Sequence, residues 1–128
     1  MIKTLHLTNA WHATSGGIAT FYRALLSQAN DQGHPIRLVV PGDADRLERA
    51  GPYGLIYFVK ARQAPLNSSY RIMLPDTFLG RHGTIRRILD DERPDVVEVC
   101  DKYTLPYLCR LLRERWLLGQ DFRPVTVA

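Results

Sequence analysis

The chain has 128 residues, 45% of them hydrophobic and 23% charged, and a formal net charge of +4 from 17 Lys and Arg against 13 Asp and Glu. A chain of this size buries roughly 65–70% of its unfolded surface, enough for one core, which excludes a disulfide-stapled mini-scaffold and a disordered tail. No apolar run approaches the ~20 residues of a membrane span, and the opening Met1–Leu7 is too short for a secretory signal. Cys100 and Cys109 therefore read as reduced thiols of a cytoplasmic protein. Residues 1–64 hold seven basic and four acidic side chains, and residues 65–128 hold ten and nine. Without a block of like charge the surface reads as solvated rather than as a nucleic-acid groove, while anionic small molecules and an anionic membrane surface stay open as partners.

In chain order the pattern alternates strand and helix. Lys3–Leu7 opens the chain as a short apolar strand, and Thr8–Gly17 is a Ser, Thr and Gly loop. Ile18, Phe21, Tyr22, Leu25, Leu26 and Ala29 recur at steps of three and four, which predicts a helix with that stripe facing the core. Gly33 is its stop. Ile36–Val40 is a second strand, closed by Pro41-Gly42, and Asp45–Ala50 is expected to form a short helix. Leu55–Val59 is a third strand.

Ala61–Gly83 has no clean period and holds Pro65 and Pro75. It reads either as a long functional loop or as an unrecognised short helix or hairpin. Ile85, Ile88 and Leu89 belong to a helix that stops before Pro94, and Val96–Cys100 is a fourth strand. Thr104 is a candidate cap with Pro106 in the first turn of a helix whose apolar face is Leu105, Leu108, Cys109, Leu112 and Trp116. Val125–Ala128 begins a fifth strand. Near-continuous apolar strands separated by helices predict an open, doubly wound α/β layer with a mainly parallel sheet and helices on both faces. A strand with no helix after it leads to the expectation that the chain is part of a longer protein.

The stretch carrying most chemical information joins the first strand to the first helix: Trp11-His12-Ala13-Thr14-Ser15-Gly16-Gly17-Ile18. Two glycines there let a ligand approach the backbone, and the free N–H groups and dipole of a helix start favour an anion such as a diphosphate. The plainer reading is a tight turn capped by Ser15. There is no Gly-x-Gly-x-x-Gly, no acidic residue ends the second strand, and no Gly-Lys-Ser/Thr follows the glycines, which disfavours a nicotinamide site and a P-loop. No acidic pair follows the first strand, which disfavours a receiver domain. The two cysteines and four histidines make no metal spacing, so no metal and no bound cofactor is expected.

Thr14-Ser15-Gly16-Gly17 with Phe21, Leu25 and Leu26, followed by Gly33-His34-Pro35-Ile36-Arg37-Leu38-Val39-Val40-Pro41, resembles the opening of the family 4 (group 1) retaining glycosyltransferases. Arg93-Pro94-Asp95-Val96-Val97-Glu98-Val99-Cys100-Asp101 is similar to their Pro-Asp-x-(Val/Ile)-His strand, with Glu98 at the position often held by His. Pro124-Val125-Thr126-Val127 looks like the strand leading to a functional histidine that does not occur here. The ordered set spans nearly the whole chain.

The resemblance implies a GT-B architecture of two Rossmann-like domains facing a cleft. Residues 1–128 would be part of the N-terminal, acceptor-side domain, without the nucleotide-sugar domain and its Glu-x7-Glu signature. It implies that Gly16 and Gly17 meet the donor diphosphate. It also implies a nucleotide-sugar donor, and an acceptor that is a hydroxylated sugar or lipid-linked sugar. The isolated fragment would be inactive.

Among candidate site residues, His12 reads either as a partner of an acceptor hydroxyl or phosphate or as an exposed loop histidine. Asp101 reads as a group orienting an acceptor hydroxyl or as a helix cap, Lys102 as a phosphate contact or a solvated charge, and Tyr103 as a sugar-stacking or packing ring. Arg71 reads as a contact to an anionic acceptor or as solvated surface. His6 and His34 read as structural, and Cys100 and Cys109 as small core residues. Arg81, His82, Arg86 and Arg87 gather around one helix start and read as solvated surface or, as the resemblance implies, as a peripheral contact with the inner face of an anionic membrane. The alternative function is a stand-alone nucleotide- or flavin-binding module of Rossmann or flavodoxin type.

Overall fold

A computed structural model describes residues 1–11, 16–65, 67–80, 82–114 and 124–128. The β-branched runs form its centre. They are strands β1 (Thr4–Leu7), β2 (Ile36–Gly42), β4 (Gly54–Lys60) and β7 (Val96–Val99), joined by β3 (Arg46–Ala50) and β8 (Val125–Val127) in one six-stranded sheet of order β3-β4-β2-β1-β7-β8. All neighbours are parallel except β3 on β4. Register follows the apolar pattern: Leu5 sits between Arg37 and Val97, and Leu7 between Val39 and Val99.

Each face carries its own core. On one side α1 (Gly17–Gln32) lays Tyr22 and Leu26 on Ile36, Leu38, Val40, Ile56 and Phe58. On the other, Phe78 of α2 (Asp76–Leu79), Ile85, Ile88 and Leu89 of α3 (Thr84–Glu92), and Leu105, Leu108 and Leu112 of α4 (Leu105–Glu114) cover Leu5, Leu7, Val39, Val59, Val97 and Val99. Burying each such side chain contributes about 1.5–3 kcal/mol. The result is the α/β, Rossmann-like layer expected from the alternating pattern, and all five expected strands are present.

Four local expectations are corrected. Asp45–Ala50 is not a helix: Arg46–Ala50 is the antiparallel edge strand β3. Its hairpin turn places Gly51 at φ 81, and a Cβ there would stand 2.5 Å from the Asn30 side chain. Ala61–Gly83 is not a plain loop but a hairpin, β5 (Arg62–Ala64) with β6 (Asn67–Ile72), followed by α2. The stripe on α1 is rotated: Ala19, Tyr22 and Leu26 are buried, whereas Phe21 is 56% exposed. Cys100 is exposed rather than in the core, while Cys109 is buried. His12, Arg81 and Trp116, singled out in the sequence, lie outside the described residues.

Helix ends follow the chemistry of their residues. Gly33 closes α1 in the left-handed region at φ 72, and the N–H of His34 reaches the carbonyl of Ala29 at 2.9 Å. Arg93 closes α3 at φ 45, directly before Pro94. No helix among the described residues is long and apolar enough to cross a membrane.

Candidate functional site

Parallel strands all point the same way, so the segments leaving β1, β2, β4 and β7 emerge at one edge of the sheet. In open α/β sheets that carboxyl edge is where ligands bind. α1 begins there. Gly16 holds φ 93 and ψ 154, a conformation essentially closed to residues with a Cβ. Gly17 is the first helical residue, and a Cβ built at either glycine would meet nothing within 4 Å. Among the described residues no side chain caps the helix start, and its first turn carries no acidic residue. Among the described residues nothing crowds the two glycines, as close approach by an anion to the amide end of α1 requires.

Buried polar side chains fix the rest of this edge. The Thr8 hydroxyl donates to the Cys100 carbonyl at 2.8 Å, tying the end of β1 to that of β7. Asn9 is 3% exposed; its Oδ1 accepts from the Met73 N–H at 2.8 Å and its Nδ2 donates to Thr104 Oγ1 at 3.3 Å. Thr104 in turn donates to the Met73 carbonyl. One asparagine thus joins the end of β1, the segment after the β5–β6 hairpin and the start of α4.

The sequence-derived acceptor residues divide into two places. Asp101, Lys102 and Tyr103 follow β7. Asp101 Oδ2 accepts from the N–H groups of Tyr103, Thr104 and Leu105 at 3.1, 2.9 and 3.0 Å, which makes it the cap of α4. Tyr103 is 55% exposed, with the Lys102 ammonium 5.7 Å from its ring centre. Arg71 lies elsewhere, on β6, where its Nη1 donates to the Ala61 carbonyl at 2.8 Å. It lines a cavity of about 540 Å³ on the α1 side of the sheet, together with Trp11, Arg23, Asp43, Arg46 and Phe58.

Beneath α1, His6 Nδ1 lies 3.1 Å from Glu98 Oε1, and the Tyr22 hydroxyl donates to the same oxygen at 3.1 Å. Burial, and then the charge of Glu98, push the Tyr22 hydroxyl far above its ordinary range, so it stays a donor at any working pH. Glu98 is thus the centre of a small cluster with His6 and Tyr22. Among the described residues, no three His, Cys, Asp or Glu side chains gather as a metal site.

No protein-family profile matches the chain, and no solved structure does. Over 115 residues, 88% of this chain, it is 30% identical to a GDP-mannose-dependent alpha-(1-6)-phosphatidylinositol dimannoside mannosyltransferase, found in two strains of Mycobacterium tuberculosis. The chain spans 28% of the length of those relatives. It is related to a glycosyltransferase.

Several residues shaping this edge escape a sequence reading. Asn9 and Thr8 sit in an unremarkable Thr-Asn-Ala stretch, and their partners lie 64 and 92 residues away. Arg23 and Arg46 belong to no motif in the sequence, yet each guanidinium lies over a ring: Arg23 over Trp11 at 4.7 Å and Arg46 over Phe58 at 3.6 Å.

Proposed function

We propose that this chain is the acceptor-side part of a two-domain, GT-B-type retaining glycosyltransferase of family 4. In this reading a nucleotide sugar of the GDP-mannose kind docks its diphosphate against Gly16 and Gly17, its sugar passing to a hydroxyl of a sugar or lipid-linked sugar held on the same edge. The observation that carries this reading is the similarity over 88% of the chain to a GDP-mannose-dependent mannosyltransferase. The uncapped, sterically open start of α1 supports the diphosphate part.

The chemistry asked of these residues is electrostatic. As the bond from the sugar carbon to the diphosphate breaks, negative charge grows on the leaving phosphate and positive charge on the sugar carbon. Fixed amide dipoles stabilise the former without reorganising. Asp101, Lys102, Tyr103 and Arg71 are the acceptor contacts, and His12 is the candidate partner of the acceptor hydroxyl or phosphate. No Asp or Glu serves as a covalent nucleophile, and no metal is used. The protein works in the cytoplasm, at the inner face of the membrane where its acceptor is lipid-linked. Arg86, however, is 4% exposed and pairs with Asp90 at 3.2 Å, so it adds nothing to a basic docking face.

The test is Gly17→Ala in the protein carrying its nucleotide-sugar half. The new Cβ has room in the folded chain, so thermal stability holds while kcat/KM for the nucleotide sugar falls by about tenfold or more, because the methyl stands where the diphosphate approaches the amides. Undiminished transfer overturns the role of the glycines. Transfer by the 128 residues alone, or a flavin or dinucleotide retained on purification, overturns the two-domain reading.

A further inference from the structure

The cavity beside α1 differs from the rest of the edge in the way its charges are held. Arg23, Arg46 and Arg71 reach it from a helix, an edge strand and a hairpin, and each is anchored by a non-ionic contact. Those contacts are the Trp11 ring at 4.7 Å, the Phe58 ring at 3.6 Å and the Ala61 carbonyl at 2.8 Å. Among the described residues Arg23 pairs with no carboxylate, and Arg46 pairs with Glu48 at 3.0 Å across an exposed surface. With each guanidinium carbon held over a ring, the N–H donors not already bonded stay available to phosphate oxygens, which the guanidinium fork fits. Because the rings and the carbonyl already hold the side chains, a ligand orders little on binding.

Two carboxylates complete the wall, Asp43 after β2 and Glu48 on β3. Against three guanidiniums they leave the lining one positive charge in excess. That suits one phosphate rather than a polyanion, and it gives acceptors for hydroxyl groups. A volume of about 540 Å³ suits a single sugar ring with its substituent. An arginine lies over each of the two rings, which leaves less ring face for base stacking and so disfavours a nucleic-acid ligand.

We propose that this cavity binds a phosphorylated sugar or polyol, its phosphate gripped by Arg23 and Arg46 with Arg71 behind them, and its hydroxyls bonded by Asp43 and Glu48. The site stands apart from Asp101–Tyr103. Only its assignment to the acceptor rests on the glycosyltransferase reading; binding itself does not. Two sources share this chemistry, a soluble sugar phosphate and the phosphodiester headgroup of a lipid.

The experiment is calorimetric titration of this chain with glucose 1-phosphate, glucose 6-phosphate and inositol 1-phosphate, beside glucose, inositol and inorganic phosphate. At least one phosphorylated compound is expected to bind about tenfold more tightly than both its unphosphorylated parent and inorganic phosphate. Arg23→Gln and Arg46→Gln should each weaken it about fivefold or more, while Arg49→Gln, on the same strand but outside the cavity, leaves it unchanged. Arg23 is exposed on α1, so its variant carries the test even where Arg46→Gln perturbs folding. Sedimentation with phosphatidylcholine vesicles, plain or containing phosphatidylinositol, separates the sources. Capture by the inositol lipid that Arg23→Gln abolishes assigns the headgroup; binding of the soluble compounds without capture assigns the free sugar phosphate. No saturable binding in the millimolar range, equal affinity for parent and phosphorylated compound, or indifference to both arginine variants overturns the proposal. Absence of sugar transfer by the intact protein leaves this result standing, so the two readings fail separately.

Discussion

The two edges of the sheet use the same kinds of side chain in opposite ways. Toward the amino edge, charges are spent on one another. Glu92 is 9% exposed and takes a bond from Arg37 Nε at 2.8 Å, another from Lys3 Nζ at 3.1 Å, and a third from the Tyr57 hydroxyl. Burial alone would raise its pKa, but the hydrogen bonds from Tyr57, Arg37 and Lys3 win and hold it below the ordinary range. At the carboxyl edge Arg46 and Glu48 pair only across an exposed surface, Arg23 and Arg46 lie over rings, and among the described residues nothing crowds Gly16 and Gly17. The contrast teaches where to look for function: a polar group already satisfied by the fold is structural, whereas one held in place but left with bonding capacity is available to a ligand.

Breaking the closed edge has the largest effect. Glu92→Ala strands two cations and a hydroxyl and should cost about 3 kcal/mol of stability by urea denaturation. A loss within the scatter of surface variants would show that this network is no better satisfied than the carboxyl edge. Asn30→Ala comes next. The Asn30 amide donates to the carbonyls of Leu26 and Ala50 at 2.8 and 2.7 Å and accepts from the Tyr53 N–H at 2.7 Å, so its loss should cost about 2 kcal/mol.

Asp101→Ala removes the cap of α4 and should cost about 1 kcal/mol, with Asp101→Asn restoring most of it. If Asp101 also orients an acceptor, the asparagine variant recovers stability but not transfer. Acidification sharpens the contrast further. Because the folded pKa of Glu92 is depressed, its contribution is complete above the unfolded value of about 4.3 and is lost as pH falls through the folded one. The urea midpoint of the wild type should therefore drop more steeply with acid than that of Glu92→Gln. Smallest of all, Gly17→Ala should leave the melting temperature unchanged or slightly raised, its Cβ entering empty space in a helical position.

What was legible in the chain follows from the range of the forces involved. Apolar runs such as Leu38-Val39-Val40 and Val96-Val97 announced parallel strands, and Gly33 announced a helix end, because those signals are local. Strand β3 was invisible: Arg46-Leu47-Glu48-Arg49 lies at the sheet edge with every one of these residues exposed, so no alternation marks it. The phase of α1 was misread because Phe21 looks like core, yet the sheet beneath is met by Tyr22 and Leu26. In the candidate site, Gly16, Gly17 and Arg71 were visible as residue types. The anchoring of Arg23 and Arg46 depends on tertiary contacts with rings that no spacing rule connects to them.

The Asn30 bonds also set the frame of the cavity from a distance. They pin the far end of α1 to the β3–β4 turn, while Arg23 and Arg46 project from the same two elements nearer their opposite ends. Helix and hairpin are thus two arms joined at one end, like tongs, and the gap between their tips depends on the rivet. Loosening it at Asn30 should slacken the grip on a bound phosphate without touching any atom that contacts it.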